Sequence, residues 1–260
     1  MLVTSKVGMP AVSARGLRKS FVLKRRALLC ARKRRDCLDS CVVDVLRGVD
    51  FDARFGEMVA IVGPSGSGKS TLLHCLSGLE SPTDGSVSIM GEPIEASKRA
   101  KAARIRARHI GFVFQQYNLV PSLNALENAA LAARFAGVSD SAAAAKEALR
   151  RVGLADKEKN RPAELSGGEQ QRVAIARALA CSSDIVFADE PTGALDSKTA
   201  HDVLTLLRGM ADGPRRAVVV VTHDLEAASC ADRVIVMRDG KMTCELAAPA
   251  PSDILAAMEA

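Results

Sequence analysis

Eight residues at 63–70, GPSGSGKS, restrict this chain of 260 residues more than any other stretch. The apolar run VAIV precedes them and STLLHCL follows, so a strand, a glycine-rich turn and a helix come in order. This is the pattern G-x-x-x-x-G-K-[ST], in the context that its chemistry requires. Gly63, Gly66 and Gly68 carry no Cβ and reach positive φ, which lets the backbone curl closely around an anion. The N–H groups of the loop and the positive end of the helix then meet a phosphate. Lys69 is expected to reach the outer phosphates and the Ser70 hydroxyl to take one position on Mg²⁺. Pro64, Ser65, Ser67 and Thr71 complete the set of expected contacts.

A second stretch raises a charge problem that the loop resolves. In IVFADEPTGALDS, 185–197, the run IVFA reads as a strand buried on both faces, yet it ends in Asp189 and Glu190 with Pro191 behind them. Carboxylates leaving water need a cation or donors in exchange. A Mg²⁺–nucleotide complex at Lys69 and Ser70 supplies the cation, and Asp189 is expected to orient its coordination shell. Adjacent strand residues project in different directions, so Glu190 is expected to face an attacking water as general base for γ-phosphate hydrolysis.

Three β-branched runs, MVAIV, DIVFAD and AVVVVT, are each followed by a turn and a helical pattern. That alternation predicts an α/β core with a mainly parallel sheet and ligands at the carboxyl ends of its strands. Residues 116–164 are instead rich in Ala and Leu at helical spacing and predict an inserted helical subdomain. No fixed-period repeat or sustained heptad is present, which excludes solenoids and long coiled coils. No window approaches the roughly 18 uninterrupted apolar residues of a membrane span, and the start lacks a secretory leader pattern. A soluble, intracellular protein is expected, and the seven scattered cysteines read as free thiols in a reducing compartment. Between Phe21 and Cys41 lie seven Lys or Arg and two Asp, so +5 of the formal charge of +6 is local. The near-neutral remainder gives no reason to expect nucleic acid as a partner.

At 165–179, LSGGEQQRVAIARAL, a second glycine-bearing turn stands ahead of an apolar helix and again offers donors to an anion. LSGGEQQR resembles the signature motif of ABC-type ATPases, and further motifs agree in order. GPSGSGKS resembles the family's Walker A loop, IVFADE its Walker B strand, and Gln115 in GFVFQQ its Q-loop glutamine. ALD at 194–196 resembles the D-loop and His223 in VTHD the switch histidine. The resemblance covers about 12–242 and is strongest toward subunits of lipoprotein-releasing and macrolide-exporting systems. It implies a phosphate-loop ATPase core with an N-terminal antiparallel β subdomain, the ABC domain spanning 10–246 and a tail over 247–260. It also implies an ATP-hydrolysing transporter subunit, peripheral on the inner face of the cell membrane beneath a separate permease. Two copies would pair head to tail, so that Ser166, Gly167 and Gly168 of one cap the γ-phosphate bound at Lys69 of the other, with Asp196 near the seam. Gln115 would sense occupancy and share in the Mg²⁺ shell, and His223 would donate to the γ-phosphate or the attacking water. The rival readings are an ABC ATPase that transmits force in cell division, a soluble one acting on DNA or ribosomes, and a phosphoryl-transfer kinase.

Phe21 in LRKSF stands where the family usually has its adenine platform. Residues 22–44 then depart from the pattern as a basic insertion. If helical, it would align Cys30, Cys37 and Cys41, beside anionic lipid or a metal; a solvated loop is the plainer expectation.

Overall fold

The computed structural model describes residues 9–24, 40–95, 98–213 and 216–260. The chain opens with two long strands, β1 (Val12–Lys24) and β2 (Ser40–Ala53), followed by β3 (Met58–Val62) and α1 (Lys69–Leu76). Next come β4 (Asp84–Ile89), β5 (Glu92–Pro93), α2 (Arg99–His109) and β6 (Ile110–Phe114). Helices α3 (Ala125–Ala136), α4 (Ser141–Arg151) and α5 (Gly167–Ala180) follow, with a short 3-10 turn at Pro162–Glu164. The remainder is β7 (Ile185–Asp189), α6 (Ser197–Ala211), β8 (Ala217–Val221), α7 (Leu225–Ser229), β9 (Arg233–Arg238), β10 (Lys241–Ala247) and α8 (Pro251–Glu259).

These strands form two sheets. One is four-stranded and antiparallel, in the order β2-β1-β4-β5; the other is six-stranded, in the order β10-β9-β3-β8-β7-β6. In the larger sheet only β10 runs antiparallel to its neighbour. Its central strands are apolar without interruption because both faces are covered. Side chains alternate across it: Met58, Ala60, Val62, Val186, Ala188, Val218 and Val220 pack toward the core that includes residues of α3 to α6. Val59, Ile61, Ile185, Phe187, Val219 and Val221 pack the other way, with Leu72, Leu73 and Leu76 of α1 and the inner residues of the antiparallel sheet. Two cores therefore share one sheet, and the loops at its carboxyl edge are held from both sides.

The fold matches the expected α/β class, and three regions refine the sequence reading. Residues 22–24 and 40–44, expected within the insertion, lengthen the β1–β2 hairpin with Val22 opposite Val42 and Leu23 opposite Cys41. Cys41 thus lies on a strand, and the helical stripe it was to share is ruled out at that end; Cys30 and Cys37 lie outside the described residues. The expected tail carries α8, where Ile254 is fully buried and the Met258 carbonyl accepts from Arg238. Its apolar residues match a groove beside β9 and α7, a tertiary fit that composition does not announce.

Candidate nucleotide site

The four adjacent parallel strands β3, β8, β7 and β6 bring the predicted residues into a row at their carboxyl ends. In that order they present the 63–68 loop, His223, the pair Asp189 and Glu190, and Gln115. The loop needs its glycines. Gly63 lies at φ 148°, and a Cβ there would fall 2.1 Å from the Met237 carbonyl oxygen. Gly68, at φ 99°, caps α1 from the left-handed region, and a Cβ there would fall 2.9 Å from the Val45 carbonyl oxygen. Helix α1 has no side-chain cap and no acid in its first turn. Its positive end is left for a ligand.

Polar groups in and beside this loop are poised rather than satisfied. Lys69 Nζ turns back to donate to the carbonyls of Gly63 and Pro64, at 2.8 and 2.9 Å. Burial lowers its pKa, against the opposing pull of Glu190 and Asp189. Ser67 Oγ is buried and has no hydrogen-bond partner among the described residues. Ser70 Oγ donates to Asp189 Oδ1 at 3.1 Å, from the first turn of α1 to the end of β7. Burial raises the Asp189 pKa, which the Ser70 hydrogen bond partly offsets. Pro64, Ser65 and Gly66 are exposed, while Thr71 is half-buried on α1.

The two acids part company at the end of β7. Asp189 closes the strand, but Glu190 adopts φ 47° and leaves it, so a backbone twist rather than strand alternation separates them. Its N–H donates to the Val221 carbonyl at 2.8 Å, and its Oε2 lies 2.8 Å from His223 Nδ1. Asp189 faces Ser70 instead, with His74 Nε2 3.8 Å away. Gln115 is exposed just past β6, with Nε2 3.0 Å from where a Cβ on Gly193 would stand.

The fit to Mg²⁺ and a triphosphate can be judged from these donors. Ser70, Asp189 and Gln115 offer hard oxygens of the kind Mg²⁺ takes, yet no group of three His, Cys, Asp or Glu among the described residues could hold a metal alone. A cation that keeps waters and shares phosphate oxygens suits so small a protein contribution. The orphaned Ser67 hydroxyl and the inward-turned Lys69 suit an anion in the loop.

Ser166 caps α5: its Oγ accepts from the Glu169 N–H, and its own N–H donates to Glu169 Oε2 at 2.8 Å. That hydrogen bond holds Glu169 below the usual carboxylate range. Among the described residues no hydrogen bond or ion pair joins this turn to the 63–70 loop, and the Ser166 N–H and hydroxyl both act on the Glu169 carboxylate within it. A Cβ on Gly168 would fall 2.2 Å from Thr199 Cγ2, and Thr199 in turn bonds Asp196, the cap of α6. Phe21 stands on β1 opposite Val43, partly exposed, with Lys19 Nζ 4.8 Å from its ring centroid. That ammonium sits over one face of the ring, a contact that the sequence pattern left unread.

Two residues of α5 have structural partners that the sequence reading did not assign. Gln171, fully buried, donates to the Pro191 carbonyl at 2.7 Å and fixes the turn after Glu190 to α5. Arg177 donates to the carbonyls of Asn118 and Tyr117 at 2.7 and 3.1 Å. Gln171 lies within LSGGEQQR, which gives no sign of this bond, and the signal for Arg177 was only a polar residue in the apolar stretch VAIARAL.

A glycine loop ending one parallel strand, bridged by a serine to an acid two strands away, defines a phosphate-loop nucleotide-binding protein. A family model described as ABC transporter matches residues 46–193. Similar proteins include the macrolide export ATP-binding/permease protein MacB of Nitrosomonas europaea, 46% identical over 82% of this chain and 33% of that protein. An uncharacterized ABC transporter ATP-binding protein of Thermotoga maritima is 50% identical over 77% of this chain and 86% of that one. The solved dimer of the ATP-binding cassette MJ0796, in a post-hydrolysis state with ADP and Pi, is 36% identical with TM-score 0.78, over 92% of this chain and 99% of that chain. This chain belongs to the ABC transporter family. It spans only about a third of the length of the MacB relative.

Proposed function

We propose that the chain is the ATP-binding and ATP-hydrolysing subunit of an ABC transporter, working as an ATP-dependent pair of identical copies with a membrane permease. One observation carries this reading: the 63–70 loop, Asp189, Glu190 and His223 converge at one sheet edge, while the Ser166 turn of the same chain bonds only locally, to Glu169. A half-site and a separate glycine turn that does not join it on the same chain suit a two-fold pair, in which each copy completes the other. The MJ0796 cassette is a dimer with ADP and Pi, which supports the same arrangement here.

Bound Mg²⁺–ATP supplies the γ-phosphoryl group and the charge that polarises it. The residues of the chain then have distinct tasks. Lys69 exchanges its loop carbonyls for phosphate oxygens, which its partly desolvated ammonium meets strongly. Ser70 and Asp189, already paired, hold the cation side, and Gln115 reaches the same edge. Glu190 takes the proton of the attacking water, and His223 fixes the Oε2 end of that carboxylate so the other oxygen faces outward. Gly63 to Thr71 line the phosphates, and Phe21 offers the free face of its ring to the base. Ser166, Gly167, Gly168 and Asp196 act across the seam on the partner's nucleotide.

Export or lipoprotein release is the proposed direction, since MacB is named for export and joins ATP-binding and permease parts. No helix among the described residues is long and apolar enough to cross a membrane. The proposed place is therefore peripheral, on the inner face of the membrane beside that permease. The test is Glu190→Gln with Mg²⁺–ATP, read by light scattering and by phosphate release. Binding should persist, turnover should fall at least about tenfold, and the protein should accumulate as a dimer. A Glu190→Gln protein that stays monomeric when saturated with ATP, alone and with its copurifying permease, would refute the paired reading.

A further inference from the structure

Two consecutive residues after Gln115 lie in the left-handed region without being glycine: Tyr117 at φ 60° and Asn118 at φ 48°. That conformation is unfavourable for L-residues, and a run of two persists only where surroundings hold it. Here the holder is Arg177 on α5, whose guanidinium donates to both carbonyls, at 3.1 Å to Tyr117 and 2.7 Å to Asn118. The turn is closed on its other side by Tyr117 N–H to the Phe114 carbonyl, at 3.1 Å, directly off β6.

The pinned turn aims the phenol at one place. A Cβ on Gly167 would stand 2.8 Å from Tyr117 Oη, so the ring fills the space that a side chain would need. Gly167 is the residue after Ser166, and on its far side Gly168 rests against Thr199. Two residues before the phenol, Gln115 packs against Gly193 in the turn behind Glu190. One short loop thus touches the acid-bearing turn with Gln115 and the Ser166 turn with Tyr117.

We propose that Tyr117 is a positioning residue for the Ser166 turn, transmitting the placement of the Gln115 loop to the surface that caps the partner's nucleotide. Tyr117 belongs to neither phosphate-contacting set. The ring acts as a spacer: because Arg177 and the closed turn leave the 117–118 backbone few alternatives, a shift of the Gln115 loop carries the phenol against Gly167. This inference rests on the two-copy reading above and adds a residue that the reading does not need.

The chain has one Tyr and no Trp, so its tyrosine emission reports this joint alone. The full chain carrying Glu190→Gln is compared with the same protein also carrying Tyr117→Phe or Tyr117→Ala. ATP affinity of the single protomer is expected to stay within about twofold, while the protein concentration for half-dimerisation rises about tenfold with Ala and less with Phe. In the parent, Mg²⁺–ATP should change the tyrosine emission, and Lys69→Ala should abolish that change. Dimerisation of the Ala variant at the parent's concentration, or an emission unmoved by nucleotide, would overturn the proposal. A lowered thermal midpoint with unaltered dimerisation would reduce Tyr117 to packing and overturn it equally. Should the parent itself fail to dimerise, the two-copy reading falls and this inference falls with it. The Phe variant, which loses only the oxygen at Gly167, keeps the test valid if the Ala variant folds poorly.

Discussion

The two glycine turns of this chain precede helices of similar purpose and are finished in opposite ways. The turn before α1 has no side-chain cap, a left-handed glycine at its end, an orphaned Ser67 hydroxyl and a lysine folded onto its own carbonyls. The turn before α5 is closed by a reciprocal Ser166–Glu169 box, with an acid in the first helical turn. The first is built to be completed by an anion with considerable charge. The second is already stable, with the Ser166 N–H and hydroxyl both engaged on Glu169, so its share of any anion is small and geometric. On the proposed reading, the division of labour between binding at one turn and capping with the other is written in how each helix start is satisfied.

Removing the charged group of the first turn should show the largest asymmetry. Lys69→Ala deletes the cation proposed to meet the outer phosphates, and hydrolysis is expected to fall by about 10³-fold, measured as phosphate release. Folding should be little changed, because the lysine is partly desolvated and bonds only to loop carbonyls. A Lys69→Ala protein with near-parental turnover would break the comparison at its base.

The backbone of the same turn gives the next effect. Gly63→Ala places a methyl against the Met237 carbonyl and should cost ~3 kcal/mol of stability by denaturant titration. Gly66→Ala meets nothing within 4 Å and differs only in its φ of 81°, so about 1 kcal/mol is expected. Equal losses at the two positions would mean that the loop yields at Gly63, contrary to its tight seat on β9.

Much of this was legible before any coordinates. Strand, turn and helix at 58–76 follow from an apolar run, a glycine pattern and a leucine-rich segment, which local rules read well. The 63–70 loop, the pair Asp189 and Glu190, and His223 were legible because each follows a β-branched run and strand ends of a parallel sheet share one edge, whereas Gln115 followed only from the resemblance. What escaped depends on tertiary partners. The capping of α5 by its own Ser166 and Glu169 was present as S-x-x-E, yet the resemblance drew attention to its phosphate role. The left-handed twist at Glu190 is set by the hydrogen bond to Val221 across the sheet, not by a glycine. The contact of Tyr117 with Gly167 joins residues 50 apart in sequence, and no local period encodes it. Likewise the α8 segment, short and Ala-rich, takes its place from the groove that receives Ile254.

The smallest expected effect concerns the second turn and separates its two properties. Ser166→Ala removes the acceptor for the Glu169 N–H and should cost about 1 kcal/mol of stability, the usual price of a lost cap. Because the same change removes the hydroxyl proton, reduced dimerisation in that variant has two explanations. Ser166→Asp resolves them: aspartate caps a helix as well as serine does, so the thermal midpoint should remain close to that of the parent. It has no proton to donate at neutral pH, and its carboxylate would face the partner's γ-phosphate as a like charge. Stability retained with ATP-driven dimerisation lost, by light scattering in the Glu190→Gln background, is the expected pairing. If Ser166→Asp dimerises as the parent does, the turn before α5 is a structural cap alone, and the contrast between the two helix starts has no functional content.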